Sequence, residues 1–246
     1  MIHISKANKR RKLSRGPFTT RLLPLGRTIE GSKDRGFAQI GRLEHATLEE
    51  GALVPMHLHQ NEEILSYIRK GTMHHKDSDK NDLGIHSKNL MLMNAGSGIH
   101  HEEGVPKGDD TVEMLQIFIR PKADDLEPRV QFYDPGEIYS QDEWRLLAGH
   151  DRSGAPLLFR SELLFYDLLL KNGSTIQSPN LNNLTGFMYL FSGKVTIENN
   201  GETVEEGDTI IIKDEKLNLT AEEDSEIVFF VLDENAPYSR NGLYTK

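Results

Sequence analysis

The sequence contains no cysteine in its 246 residues, which removes disulfides, thiolate metal ligands and cysteine nucleophiles together. No apolar run approaches the roughly 18 residues that a membrane-spanning helix needs. The start, Met1-Ile2-His3-Ile4-Ser5-Lys6, lacks the apolar stretch of a secretory signal. A chain without thiols fits a reducing compartment, so a cytoplasmic location with no membrane association is the expectation. Phosphate-cradling glycine loops, a Gly-x-Ser-x-Gly elbow and a zinc-protease helix are also missing.

Acidic residues are missing from the first 29 positions, where Lys6, Lys9, Arg10, Arg11, Lys12, Arg15, Arg21 and Arg27 stand instead. The whole chain nevertheless carries a net charge of −9, which argues against nucleic acid as a partner. The basic arm either neutralises the acidic remainder of the protein or offers a surface to a negative partner. With 37% hydrophobic and 27% charged residues the composition is that of a globular protein.

From Phe37 to Ala123 short strand-like runs alternate with turn signals about every ten residues, the pattern of a sandwich or barrel. The runs are Phe37 to Leu48, Glu63 to Arg69, Thr72 to Lys76, Leu90 to Asn94 and Val112 to Ile119. Turns are expected at Glu50-Gly51, Lys70-Gly71, Asp82-Leu83-Gly84 and Gly96/Gly98. Between Arg120 and Pro156 the density of Pro and Gly reads as a linker. A short helix is expected inside it, because Ser140 with Glu143 forms a capping-box pattern, Trp144, Leu146 and Leu147 supply apolar bulk, and Gly149 ends it. Strand signals resume from Leu157, with Asn199-Asn200-Gly201 as a hairpin turn. The expected fold is all-β: two tandem β-barrel domains at 1–122 and 157–246, joined by a linker at 123–156.

Histidine separates the halves, since nine of the ten precede Arg120 and only His150 follows it. His57 and His59 stand two apart, so in an extended strand both imidazoles leave from the same face. His101 and Glu103 repeat the spacing after the glycine pair Gly96/Gly98. Two such pairs supply the four donors of a mononuclear metal site, and imidazole with carboxylate suits Fe(II), Mn, Ni, Co, Cu or Zn. Glu63, four residues beyond His59, lies on the same strand face if no bulge intervenes. Glu62 and Glu102, each offset by one, are expected to face away. His74 and His75 are adjacent, so one faces inward and one outward. Met73, Met91 and Met93 read as core filling. In the second half, the residues that answer to His57 and His59 after Gly173 are of the kind of Pro179 and Leu181, so no equivalent site can form there.

Gly51, His57-x-His59 and Glu63 agree with the first signature of the cupin superfamily, and the longer stretch His57 to Gly71 resembles the His-x-His and Glu-x-x-x-Tyr-x-x-x-Gly motifs of the pirin family of bicupins. Thr72 to Ser78, Ala95 to Glu103, Leu115 to Pro121 and Pro128 to Gln131 are similar to that family's later motifs. Leu58 and Gln60-Asn61 depart from it, as does the lack of an aromatic His-Thr-Phe-Ser-Phe-like stretch in residues 17–36. The resemblance implies a metal held by His57, His59, His101 and Glu103 in the first cupin domain, with iron as the expected ion. The generic cupin signature nominates Glu63 as the carboxylate instead. The resemblance further implies a quercetin 2,3-dioxygenase (quercetinase) reaction on a flavonol-like aromatic substrate with O₂, in which Glu103, or Glu63 if free, takes the substrate proton. It equally implies a non-enzymatic alternative, a metal- or redox-sensing regulatory protein that binds a protein partner.

Overall fold

A computed structural model describes residues 1–7, 12–23, 25–28 and 34–245. The chain forms two compact units. One, called here the first barrel, comprises Arg11–Ile138, Phe159–Ser161 and Ala236–Lys246; the second barrel comprises Met1–Arg10, Tyr139–Leu158 and Glu162–Asn235. Nearly all regular structure is strand, and among the described residues no helix is long and apolar enough to cross a membrane.

In the first barrel a seven-stranded antiparallel sheet runs in the order Arg129–Tyr133, Leu90–Asn94, Glu63–Lys70, Val112–Ile119, Ile40–Leu48, Phe18–Leu23 and Lys12–Arg15. A four-stranded sheet runs Leu53–His59, Ile99–Gly104, Thr72–Asp77 and Asp82–His86. Both sheets contribute to one apolar cluster: Met73 and Ile85 from the smaller meet Leu48, Ile68, Met91, Val112 and Met114 from the larger. Such sharing is what face-to-face packing of two half-buried sheets produces. Met73, Met91 and Met93 are all fully buried, as core filling requires.

The second barrel repeats the arrangement. Its seven-stranded sheet runs Ile2–Ser5, Thr209–Ile212, Thr185–Ser192, Ser225–Leu232, Leu163–Leu170, Arg145–Gly149 and Leu157–Leu158, and its smaller sheet Thr175–Gln177, Asn218–Ala221, Lys194–Ile197 and Glu202–Glu205. The edge beside Thr209–Ile212 is filled by the opening residues of the chain, with Ile2 opposite Ile212. Lys6 of the basic arm is engaged there: its ammonium donates to Asp208 Oδ2 at 2.9 Å and to the Thr203 carbonyl at 2.5 Å. Lys9, Arg10 and Arg11 lie outside the described residues.

Three expectations are corrected. Residues 123–156 are not a free-standing linker, because Arg129–Tyr133 pairs with Leu90–Asn94 and Arg145–Gly149 pairs with Leu163–Leu170. The helix at Ser140–Gly149 is absent. A helix of about nine residues is marginal without packing, and here strand partners outcompete it: the Ser140 carbonyl accepts from Leu169 N, the Arg145 guanidinium clamps Asp167 at 2.6–2.9 Å, and Trp144 packs on Phe229. Asp82-Leu83-Gly84 is also strand rather than turn; the turn lies just before it, where Asp77 Oδ1 accepts from the backbone of Asp79 and Asn81.

Candidate metal centre

His57 and His59 end the strand Leu53–His59, which pairs antiparallel with Ile99–Gly104 so that His101 lies directly opposite His57. The turn at Gly96–Gly98 leads into Ile99–Gly104, and its Gly96 carbonyl accepts from Asn61 N at 2.8 Å just beyond His59. Gly96 has φ of 51°, and a Cβ there would collide with the Leu126 carbonyl, so only glycine fits. Three rings from two neighbouring strands thus converge, with centroids 4.5 to 4.7 Å apart. His57 Nε2 lies 2.9 Å from His59 Nε2 and 3.1 Å from His101 Nε2.

The outer nitrogens fix what the inner ones can do. His57 Nδ1 is 2.9 Å from the Pro55 carbonyl, which only accepts, so Nδ1 carries the proton. His59 Nδ1 is likewise 2.6 Å from Glu62 Oε1. Each Nε2 is then a bare lone pair, and two lone pairs 2.9 Å apart repel unless a cation joins them. Donors bonded at right angles to one ion at about 2.1 Å would stand about 3 Å apart, which matches the separations found. Burial, followed by the neighbouring His59, His57 and His75, pushes His101 down to about 2. A nitrogen so reluctant to take a proton keeps its lone pair for a metal.

Glu103 stands beside this cluster on the Nδ1 side of His101, in a close grouping with His75 and His101 rather than with His57 and His59. Its Oε2 accepts from Gln116 Nε2 at 2.8 Å, while the buried Oε1 has no hydrogen-bond partner and lies 3.6 Å from His101 Nδ1. Two steps from His101 to Glu103 face three steps from His57 to Val54, so the bulge lies in Leu53–His59, while His101 to Gly104 pairs regularly with Thr72–Asp77. His75, His101 and Glu103 form a second close grouping, and His75 is fixed by Asp77 Oδ2 at 2.9 Å. His75 is the inward member of its pair, and His74 the exposed one. Unpaired buried oxygen, deprotonated inner nitrogens and matching separations together fit a bound cation.

Glu63 does not join the cluster. Asn61 adopts φ of 55° and breaks the strand before it, so the alternation that placed Glu63 beside the histidines does not carry through. Its carboxyl accepts instead from Asn94 Nδ2 and from Arg160 N at 3.0 to 3.1 Å. Burial pushes it up to about 7. The same break turns Glu62 toward His59. Expected to face away, Glu62 is fully buried and accepts at both oxygens, from His59 Nδ1 and from Tyr244 N at 2.9 Å. Carboxylates in this position fix a ligand's tautomer and raise its basicity.

A cleft of about 660 Å³ opens onto His57, His59 and Glu103, a volume suited to a small organic ligand. Phe18, Leu22, Leu48, Leu53, Met114 and Phe118 supply apolar wall, while Arg15, Arg42, Glu44 and Gln116 supply polar edges. Glu44 is paired with Arg42, and burial pushes its carboxyl upward.

Residues 33–119 match the family model described as Pirin, and residues 146–232 match the Quercetinase C-terminal cupin domain. The chain is 26% identical over 234 residues to quercetin 2,3-dioxygenase of Escherichia coli K12, covering 94% of this chain and 99% of that protein. A Zymomonas mobilis relative, whose name assigns the same activity provisionally, is 30% identical over 72% of this chain and 74% of its own length. Among solved structures, the Escherichia coli pirin YhhW in complex with nickel(II) superposes with a TM-score of 0.81 at 25% identity, covering 95% of this chain and 99% of that one.

Proposed function

We propose that this chain, which belongs to the pirin family of bicupins, is a metal-dependent dioxygenase of the quercetin 2,3-dioxygenase type, acting on a flavonol-like substrate with O₂. The observation that carries this is the meeting of three imidazoles, two with their Nε2 lone pairs fixed inward, and an unpaired Glu103 oxygen at an apolar cleft. His57, His59, His101 and Glu103 would hold one divalent ion. Fe(II) suits these donors, and the nickel complex of the related pirin supports Ni(II) as a workable occupant.

When bound, such an ion acts as a Lewis acid that lowers the pKa of a coordinated hydroxyl. The protein supplies the rest. The Glu103 carboxylate would take up the substrate's hydroxyl proton, with Gln116 donating to its Oε2 to hold it in place. Glu62 keeps the His59 proton on Nδ1, so that Nε2 remains a donor throughout. Phe118, Met114 and Leu53 keep water from the electron-rich substrate while O₂ reacts.

The alternative of a redox-sensing regulator draws on the basic arm. Within the described residues Lys6 of that arm is already engaged by Asp208, and no other observation favours it. Aerobic loss of the quercetin absorption band with stoichiometric CO release is the expected result for metal-loaded protein. Absence of turnover with Fe(II), Mn(II), Ni(II), Co(II) and Cu(II) would sink the dioxygenase assignment.

A further inference from the structure

Tyr244 is 40% exposed, yet the backbone around it is tightly held. Thr245 is fully buried, and its carbonyl accepts from Arg120 Nε at 2.9 Å. Arg120 is itself fully buried and clamps Asp34 through both terminal nitrogens. On the other side, Gly242 packs so closely that a Cβ would lie 3.0 Å from the Asn61 carbonyl and 3.0 Å from Glu62 Oε2. Between these anchors the Tyr244 N–H donates to Glu62.

The ring that this backbone carries is set against the histidine cluster. Its centroid is 4.8 Å from that of His59, 6.2 Å from His57 and 6.1 Å from Phe118, which it meets at 39°. Phe118 in turn lies under the Arg42 guanidinium at 5.5 Å. Tyr244 therefore lines the cleft as a half-exposed aromatic surface on an immobilised backbone. An apolar face held open to solvent is unfavourable by itself and gains when a ligand covers it. Because the ring is already positioned, little ordering is required on binding.

We propose that Tyr244 is a specificity-determining residue whose ring is the stacking platform for a flat aromatic ligand seated beside the histidine cluster. This rests on the assignment of the cleft as an aromatic-substrate site. Flatness is selected because a ring can stack offset on Tyr244 while its polar edge reaches Arg42 or Gln116. The hydroxyl of Tyr244 is not required.

The test is anaerobic titration of nickel-loaded protein with quercetin, followed through the ligand's absorption band. Tyr244→Ala is expected to raise the Kd about tenfold, and Tyr244→Phe to stay within about twofold of the unchanged chain. Nickel content should be equal in all three, because the backbone N–H that holds Glu62 remains. Equal Kd values for the unchanged chain and Tyr244→Ala would overturn the proposal. So would an equal loss in Tyr244→Phe, or loss of nickel from Tyr244→Ala alone. If Tyr244→Ala weakens binding but no loaded form turns quercetin over, the platform stands and the dioxygenase assignment fails. If Tyr244→Ala turns quercetin over with unchanged KM, the dioxygenase assignment stands and the platform fails.

Discussion

The two barrels share a strand order but fill their interiors differently. In the second, Leu168, Met188, Leu190, Ile197, Ile210, Leu219, Ile227 and Phe229 belong to one buried apolar cluster drawn from both sheets. In the first, buried apolar clusters form around Met73 and Met114 and around Ile64 and Phe118. His59, His75, His101 and Glu103 are buried there as well. Buried polar groups cost stability unless they are paired. The first barrel pairs some of them and leaves Glu103 Oε1, His101 Nδ1 and His75 Nδ1 without hydrogen-bond partners. Among the described residues, close groupings of metal-capable side chains occur only in the first barrel. The same architecture thus serves as a packed support in one copy and as a polar cradle in the other.

The strands that carry the cradle show how the difference arises. The strand Leu53–His59 is long enough to bring His57 and His59 opposite Ile99–Gly104, whereas its counterpart Thr175–Gln177 ends before Pro179. Loss of a central imidazole should therefore have the largest effect. His101→Ala is expected to bring bound metal close to zero, measured by elemental analysis after reconstitution. Retention of one metal per chain would show that the site lies elsewhere.

The packed barrel should respond in the opposite way. Phe229 is fully buried and touches Trp144. Phe229→Ala should lower stability by about 3–5 kcal/mol while leaving metal content unchanged. Metal loss in the folded variant would break the division of labour between the barrels.

The histidine pair was legible because strand alternation has period two, which puts His57 and His59 on one face whatever the surrounding fold. The strands Leu90–Asn94, Val112–Ile119, Leu163–Leu170 and Thr209–Ile212 were legible in the same way, from their apolar runs. Glu62 was not. Its role depends on Asn61 at positive φ, and although Asn tolerates that conformation, nothing in the local pattern requires it. The capping-box pattern at Ser140 misled because helix propensity there is weaker than pairing with Leu163–Leu170 across sequence. The contribution of residues 236–245 to the first barrel likewise depends on Arg120 and Asn61, which are distant in sequence.

Within the first barrel, Glu63 offers a contrast to Glu103. Burial raises the Glu63 carboxyl from an ordinary value of 4.5 to about 7. A raised folded-state pKa contributes stability that is fully present below the unfolded value and is lost as pH rises toward 7. The loss amounts to roughly 3–4 kcal/mol, at about 1.4 kcal/mol per unit. Denaturant unfolding should show this decline between pH 4.5 and 7, and Glu63→Gln should flatten it while retaining metal. An unchanged slope in that variant would place the titration elsewhere.

Glu62→Gln tests how far the cradle depends on a carboxylate that is not itself among the proposed ligands but holds one of them, His59. Both partners of Glu62, His59 Nδ1 and Tyr244 N, are donors, and the carboxylate accepts from each. A glutamine offers one acceptor and one donor, so it can satisfy only one of them. If the amide oxygen stays with His59, the Tyr244 backbone faces an N–H; if it turns to Tyr244, the His59 proton loses its acceptor and the ring is free to change tautomer. Either arrangement weakens the hold on Nε2, and the expected cost is about 10- to 100-fold in metal affinity, or roughly 1.4–2.7 kcal/mol. Competition titration against a chelator measures it, with Glu102→Gln as the matched control. The two changes remove the same charge, but Glu62 alone touches a histidine of the cluster, so equal losses would assign the effect to net charge rather than to orientation of His59.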